Sequence, residues 1–252
     1  MKALLFNFYY LLKNKYVQLF CAAIFLILTG CNKKRLDEAI KKNNYSKKEI
    51  SKLEFSTNNH KEWKISKDRI ECLVSNEERK FHLLTRKFSH KNGDLEMKVR
   101  LGFFNDKISS LNKNWAGFHI GSSTNFNNSS SKILKKGINI GICTNGALFI
   151  GNPSPNHKNL TIINALKNGV DLKISISNHL NNYTVDFSVL DATNGKLLGR
   201  ISKKDIAPEQ ITGDLGLISS FENSDVITSK PTKSVWFQNW EIKGLKVALL
   251  TK

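Results

Sequence analysis

The stretch from Trp115 to Gly151, which reads WAGFHIGS…GINIGICTNGALFIG, decides the fold of this chain. Its apolar runs predict three short strands, at Trp115–Ser122, Ile138–Thr144 and Ala147–Ile150. Thr144-Asn145-Gly146 predicts a tight turn between the last two, because Asn-Gly suits a turn whose two central residues have positive φ. Glycine in a strand marks a bulge, a bend or a close backbone approach, and four glycines interrupt or end these strands: Gly117, Gly121, Gly141 and Gly151. The stretch therefore predicts the middle of a curved antiparallel sandwich.

The rest of the chain repeats this pattern of short strands separated by turns. Leu95–Phe103 alternates between apolar and polar residues, which is typical of a half-buried strand. Leu172–Ile176 and Tyr183–Val189 alternate in the same way around Asn181-Asn182, and they predict the clearest hairpin. Leu160–Leu166 is open between a strand and a short helix. Many short strands with almost no helix predict an all-β fold, an antiparallel β-sandwich or jelly roll.

Residues 1–30 have the composition of a secretory signal. Lysines precede the apolar run Leu19–Leu28, which is too short to span a bilayer as a stable helix. That run leads into Leu28-Thr29-Gly30-Cys31, which resembles a bacterial lipobox, where cleavage occurs before the cysteine and lipid is attached to its thiol. We therefore expect a mature chain anchored to a lipid membrane through Cys31, in the cell envelope outside the cytoplasm, periplasmic or at the outer-membrane surface. An ordinary secretory signal and an uncleaved anchor are the alternatives.

Composition predicts how the remaining residues are organised. Residues 31–62 are polar and rich in lysine, with few large apolar side chains, which is typical of a solvated tether. We expect the folded sandwich over residues 63–244, beginning near Trp63, and a C-terminal tail over residues 245–252. A chain of 252 residues is long enough for one all-β domain with a good core in addition to the signal and the tether.

The chain is strongly basic, with 39 Lys and Arg against 21 Asp and Glu and a formal net charge of +18. Such a balance can attract nucleic acid or an anionic membrane. The charge is nevertheless scattered, nearly all of it is lysine, and no aromatic-basic motif accompanies it. We therefore interpret it as a compositional surface charge and expect no nucleic-acid partner.

The chain has four cysteines, of which Cys21 lies in the signal and Cys31 at the lipid site. Cys72 and Cys143 remain, both in predicted strands. Outside the cytoplasm these two can form a disulfide, and two buried free thiols are the alternative. No spacing motif decides between them.

We recognise no catalytic motif in the sequence. A glycosidase needs two carboxylates that flank the scissile bond, and on one strand they must be two residues apart to share a face. Asp94 and Glu96 have that spacing, but Glu96 falls on the polar side of its strand, so solvated surface carboxylates explain them better. The six histidines lack metal-ligand spacing, and no nucleophilic triad or phosphate loop is present. We therefore expect no catalytic residue, metal or cofactor, and favour a binding protein over an enzyme.

The tryptophans are the remaining candidates for ligand contact, because an indole can stack on a sugar ring as well as fill a sandwich core. Trp236 and Trp240 are four residues apart on a predicted strand, a spacing that places both on one face. Trp115 opens the central stretch next to a loop, and His119 follows in the same predicted strand. We predict these four as ligand-binding residues, with core packing as the alternative for the tryptophans and a satisfied strand position for His119.

The order of the segments resembles a known family. The chain presents in turn WKISKDRIECLV, FHLLTRKF, DLEMKVRLGFF, WAGFHIG, GINIGICTNGALFIG, YTVDFSVLDATNGKLL, GDLGLISSF and VWFQNWEIKG. This order is similar to that of the concanavalin A-like lectin/glucanase domain placed before the metallophosphatase domain in some bacterial alkaline phosphatase D-like proteins. The resemblance covers Trp63 to Gly244. It implies a sandwich of about twelve strands, a secreted or lipid-anchored context and glycan binding.

The sequence departs from that family after Gly244. In such proteins a metal-dependent phosphoesterase with Asp, His and Asn ligands follows, and none of those ligand motifs is present here. The resemblance therefore carries over no catalytic residue. We favour a lipid-anchored, non-catalytic lectin-like module that binds a glycan or a partner protein. The alternatives are an accessory front domain for a separate downstream phosphoesterase chain, and a glycan hydrolase or lyase with an unrecognised site.

Overall fold

The structure is a computed structural model that describes residues 55–57, 59–66, 68–89, 93–104, 107–108, 114–121, 137–153, 157–180, 182–222, 233–244 and 248–249. The strands are β1 (Phe55–Thr57), β2 (Trp63–Ser66), β3 (Arg69–Cys72), β4 (Arg79–Phe88), β5 (Leu95–Phe103), β6 (Trp115–Ile120), β7 (Ile138–Cys143), β8 (Leu148–Ile150), β9 (Val170–His179), β10 (Asn182–Asp191), β11 (Leu197–Ile206), β12 (Gly213–Ser220), β13 (Val235–Gly244) and β14 (Ala248–Leu249). The helices are a 3-10 turn at His60–Glu62, α1 (Leu160–Leu166) and α2 (Pro208–Ile211). None of the described helices is long and apolar enough to cross a membrane.

The strands form two seven-stranded sheets in which every described pairing is antiparallel. Sheet A has the order β1-β4-β12-β6-β7-β8, and β14 also pairs with β4. Sheet B has the order β11-β10-β9-β5-β13-β3-β2. One large cluster of buried apolar side chains draws on both sheets and forms the core between them. The predicted antiparallel β-sandwich is confirmed.

The alternating strands bury the residues that the sequence predicts. In β5, all five apolar positions of the alternation are buried: Leu95, Met97, Val99, Leu101 and Phe103. The hairpin of β9 and β10 places Phe187 opposite Ile174 and Val189 opposite Leu172, all fully buried. Each such side chain contributes about 1.5–3 kcal/mol through burial, so the period-two pattern is what holds β5, β9 and β10 in register on the core.

The turn between β7 and β8 differs in type from the prediction. Only Gly146 has a positive φ, at 81°. The Gly146 N–H donates to the Cys143 carbonyl at 2.9 Å, and the Cys143 N–H donates to the Ala147 carbonyl at 2.8 Å. This is a three-residue loop with one left-handed glycine, which needs a positive φ at one position and not two. The Asn145 side chain stabilises it by accepting from the Ala147 N–H at 3.0 Å.

The segment that the sequence leaves open between strand and helix is α1. Asn159 caps its start, since the side-chain oxygen of Asn159 accepts from the Ile162 N–H at 3.2 Å. Ile162 and Leu166 lie four residues apart and are both fully buried. The helix therefore packs one face on the core, and its short length hides the helical period from sequence analysis.

Strand pairing extends beyond the predicted limits of the sandwich at both ends. Phe55 in β1 is only 7% exposed, and its ring centroid lies 4.6 Å from that of Phe81 in β4. In β14, Ala248 pairs with Lys87. Strands therefore lie within the segments that composition assigns to the tether and the tail. The predicted signal and Cys31 lie outside the described residues.

Trp236 and Trp240 lie on opposite faces of β13, so the prediction from their spacing is wrong. The pairing of β13 with β5 shifts around Asn239, which has a φ of 54°, and this marks a β-bulge. The extra residue reverses the alternation. Trp236 precedes the buried core residue Phe237 and points away from the core, whereas Trp240 packs against the core with its ring centroid 6.2 Å from that of Phe55.

Candidate functional site

The face of sheet A turned away from sheet B, here called the outer face, carries the most unusual group of side chains. Three residues of β6 belong to the core between the sheets: Ala116, Phe118 and Ile120. Because side chains alternate along a strand, Trp115, Gly117 and His119 project from the outer face. An outer sheet face is ordinarily polar and solvated. Here every residue of β6 is buried, and Trp115 is 7% exposed and His119 2% exposed.

Two histidines meet over β12 on this face. His82 in β4 and His119 in β6 are both directly opposite Gly216 in β12, so they lie two strands apart. Neighbouring strands are about 4.8 Å apart, which separates the two backbones by about 10 Å. The ring centroids are only 5.7 Å apart, with an interplanar angle of 82°. Both rings of this histidine pair therefore lean over β12, where Gly216 has no side chain and a Cβ would lie 3.1 Å from Nδ1 of His82.

An aromatic pair lies on the same face, towards the other end of β6. Trp115 in β6 and Phe149 in β8 flank β7, and their ring centroids are 5.1 Å apart with an interplanar angle of 81°. Opposite Phe149 on β7 is Gly141, where a Cβ would lie 2.4 Å from the Ala116 carbonyl oxygen. The pair belongs to a second apolar cluster, separate from the core and made of Trp115, Cys143, Ala147, Phe149 and Ile218.

The two histidines have different hydrogen-bond environments. Nδ1 of His119 lies 2.6 Å from Oδ1 of Asn139 in β7. Since an amide oxygen only accepts, this contact places the proton of the neutral ring on Nδ1. His82 is 3% exposed, yet neither of its ring nitrogens has a hydrogen-bond partner within the described part of the chain.

Burial keeps both imidazoles neutral. Burial lowers the pKa of His119 to about 4. The nearby charge of Lys80 adds to this shift, and the hydrogen bond to Asn139 opposes it. Burial also lowers the pKa of His82, where the charge of Asp214 opposes the shift and that of Lys80 reinforces it. Both rings are thus uncharged at pH 7, and each presents one N–H donor and one acceptor nitrogen.

The structure brings two of the four predicted ligand residues, Trp115 and His119, onto this face and places the other two elsewhere. Trp236 lies on the outer face of sheet B, where the guanidinium carbon of Arg69 is 4.3 Å from its ring centroid. Gly102 opposes it, and a Cβ there would lie 2.3 Å from Cζ2 of the indole. The ring of Trp236 is therefore engaged by the protein itself. Trp240 packs against the core.

His82 is absent from the predicted ligand residues. It lies between Phe81 and Leu83, which are both buried in the core, so a single histidine between two apolar residues reads as an ordinary strand position. The signal that identifies it is the alignment of His82 and His119 with Gly216, and this requires the register of three strands that are distant in sequence.

Cys72 and Cys143 are free thiols, and both are buried. Cys72 belongs to the core between the sheets, whereas Cys143 belongs to the cluster on the outer face of sheet A. Sheet A therefore lies between them, and the two are buried free thiols that are not joined in a disulfide. Burial raises the pKa of Cys143 to about 12, so this thiol stays protonated.

The carboxylates that could suggest a glycosidase are engaged in other contacts. Glu96 pairs with Lys173 at 2.9 Å. Oδ1 of Asp94 accepts from the Asn178 N–H at 3.3 Å. Among the residues that the structure describes, no group of three or more His, Cys, Asp or Glu side chains is arranged to hold a metal ion.

No protein-family model matches this chain. A comparison with curated proteins also finds no match. Among solved structures, the chain is similar to arcelin-5, a lectin-like defence protein from Phaseolus vulgaris, with a TM-score of 0.50 and 9% identity over 75% of this chain and 91% of that one. It is equally similar to the lectin from Bauhinia forficata in complex with GalNAc, with a TM-score of 0.50 and 8% identity over 77% and 93%. These likenesses show the fold, a concanavalin A-like β-sandwich.

Proposed function

We propose that this chain is a lectin-like module that binds a glycan and has no catalytic activity of its own. The observation that carries the proposal is the outer face of sheet A, which carries both a histidine pair and an aromatic pair. Sugar recognition uses both kinds of group, because sugar rings have apolar faces and hydroxyl edges. The lectin from Bauhinia forficata, which has the same fold, was solved with bound GalNAc.

Binding without hydrolysis fits the carboxylates better than a glycosidase does. Hydrolysis needs one carboxyl as an acid and a second as a base or nucleophile on the two sides of the scissile bond. Glu96 is held by Lys173, and Asp94 by the backbone of Asn178. The outer face of sheet A offers neutral imidazoles, an amide and indole, which bind hydroxyls and ring faces.

A glycan array tests the proposal directly. The full chain should bind a subset of glycans. Trp115→Phe should weaken that binding, because it replaces the two-ring indole of the aromatic pair with a single phenyl ring. Trp236→Phe is the matched control, since Trp236 lies on sheet B, and its binding should equal that of the wild type. A folded chain that binds no glycan, or one that turns over a glucan with activity tracking the protein through size exclusion, contradicts the proposal.

We further propose that the module is anchored to membrane lipid through Cys31, outside the cytoplasm. Support comes from Leu28-Thr29-Gly30-Cys31 after a short apolar run. Cys31→Ser should leave the precursor unprocessed by the lipoprotein route and remove labelling by a fatty-acid analogue. Unchanged labelling of that variant would show that the cysteine is not the lipid site.

A second candidate is an accessory domain that acts with a separate phosphoesterase chain. The order of segments favours it, because it resembles the domain placed before the metallophosphatase of alkaline phosphatase D-like proteins. Size exclusion of the chain mixed with the product of the next open reading frame tests it. A stable complex with metal-dependent phosphoesterase activity would support this candidate, and separate elution of the two chains would reject it.

A further inference from the structure

His82 is a buried polar side chain whose hydrogen-bonding capacity the described part of the protein leaves unused. It is 3% exposed and neither ring nitrogen has a partner there. A buried polar group without a partner is destabilising, and in native structures such a group indicates a missing water, ion or ligand. Phenylalanine would fill a similar space without this penalty, so packing alone does not account for an imidazole at this position.

The surroundings hold His82 in a defined place. Gly216 makes room for the ring, since a Cβ there would lie only 3.1 Å from Nδ1 of His82. The ring of His119 meets it nearly at right angles, at 5.7 Å between centroids. His119 is itself fixed by Asn139 through a 2.6 Å contact. One imidazole is thus oriented by the protein, and the second lies beside it over the backbone of Gly216.

The nearby charges and the neutral rings decide which chemistry fits. Lys80 lies on the same face of β4 as His82 and disfavours a metal cation, and the carboxylate of Asp214 is paired with Lys87 at 3.2 Å. Burial holds the pKa of His82 below its ordinary value, so the ring presents one donor and one acceptor. An anion only accepts, so it pairs with the N–H and not with the acceptor nitrogen. A hydroxyl both donates and accepts, so it pairs with either nitrogen of a neutral imidazole, and the several hydroxyls of a sugar can serve both.

An apolar cluster that includes Trp115 lies on the same face. Trp115 is four residues from His119 along β6, a distance of about 14 Å between backbones at about 3.4 Å per residue. Between them is Gly117, where a Cβ would lie 2.1 Å from the Ile140 carbonyl oxygen, so no side chain can separate the two pairs on this strand.

We infer that His82 binds a hydroxyl group of a neutral sugar at the histidine pair of sheet A. This inference rests on the proposed glycan-binding function, and it assigns that function a residue and a ligand class. His119, oriented by Asn139, is the positioning residue beside it.

The test uses the full chain on an array of neutral and acidic glycans, followed by calorimetric titration of the best-bound glycan. His82→Phe keeps an aromatic ring and removes both nitrogens. We expect it to bind at least tenfold more weakly than the wild type, with a melting temperature that is unchanged or higher, because the phenyl ring leaves no unsatisfied polar atom. The matched control is His179→Phe at an exposed histidine, which should bind like the wild type.

The other outcomes separate this inference from the proposed function. Wild-type affinity in His82→Phe, with or without a lower melting temperature, overturns the inference and leaves glycan binding intact. Binding of acidic glycans alone overturns the neutral ligand class. Binding that EDTA abolishes and zinc restores, and that His82→Phe removes, overturns the hydroxyl assignment in favour of a metal. A wild-type chain that binds no glycan overturns both proposals.

Discussion

Mild acid should destabilise the fold through His119. The ordinary pKa of histidine is 6.5, and burial lowers that of His119 to about 4 in the folded chain. Between these values the unfolded chain takes up a proton that the folded chain does not. The free energy of unfolding therefore falls as the pH falls from 6.5 towards 4, because the unfolded state binds more protons there.

The size of this effect follows from the two pKa values. Going from pH 7 to pH 5, His119 alone should remove about 2 kcal/mol of stability. His82 is shifted in the same direction by its burial and adds to the loss. Asp171 acts in a different window: burial raises its pKa, but the hydrogen bonds and charges of Arg100 and Lys98 bring it below 3.8. Its contribution is present above pH 3.8 and is lost only as the pH falls through the lowered pKa, so it does not confuse the measurement.

Urea denaturation followed by tryptophan fluorescence at pH 7 and pH 5 measures the loss. With an m-value of about 2 kcal/mol per molar, the wild-type midpoint should fall by about 1 M or more between the two pH values. His119→Gln, which does not titrate, should lose about 2 kcal/mol less than the wild type over the same interval. His179→Gln at an exposed site should behave as the wild type. Equal losses in the wild type and His119→Gln would refute the reasoning, as would an NMR titration of His119 near pH 6.5.

Two further outcomes test the packing. Gly102→Ala should destabilise the chain by about 1–3 kcal/mol and shift the tryptophan emission, since a Cβ would lie 2.3 Å from the Trp236 ring. Gly93→Ala is the control, because a Cβ there would meet nothing within 4 Å, and it should leave the melting temperature unchanged. Cys143 should resist iodoacetamide in the native chain and react after denaturation, because burial raises its pKa to about 12. Detection of modified Cys143 in the native chain by mass spectrometry would disprove this.

The strands were predictable where one face alone is buried. In β5 and in the hairpin of β9 and β10, each apolar residue faces the core and each polar residue faces outward, so the period of two appears in the sequence. In sheet A, the sequence of the central strands lacks this alternation. β6 and β12 are buried on both faces, so their strands read as apolar runs and the inward face cannot be distinguished from the outward one.

The incorrect predictions for the candidate site share one cause, which is that these positions depend on the register between strands. Spacing placed Trp236 and Trp240 on one face, and the bulge at Asn239 separates them. His82 gave no signal, because its meaning comes from the opposite positions of Gly216 and His119. A pattern within one strand reports alternation, whereas bulges and cross-strand neighbours are set by pairing with strands elsewhere in the chain.

On the outer face of each sheet a glycine makes room for a ring, and the contacts of the two rings differ. On sheet B, the ring of Trp236 fills the space beside Gly102, and the Arg69 guanidinium lies over it at 4.3 Å, so its binding capacity is used within the protein. On sheet A, the ring of His82 fills the space beside Gly216, but its nitrogens have no partner among the described residues. The ring beside the glycine thus has a polar partner on sheet B, whereas the nitrogens of the ring on sheet A have none among the described residues. Since a buried imidazole without partners is destabilising, this difference supports the proposal that the binding face is the outer face of sheet A.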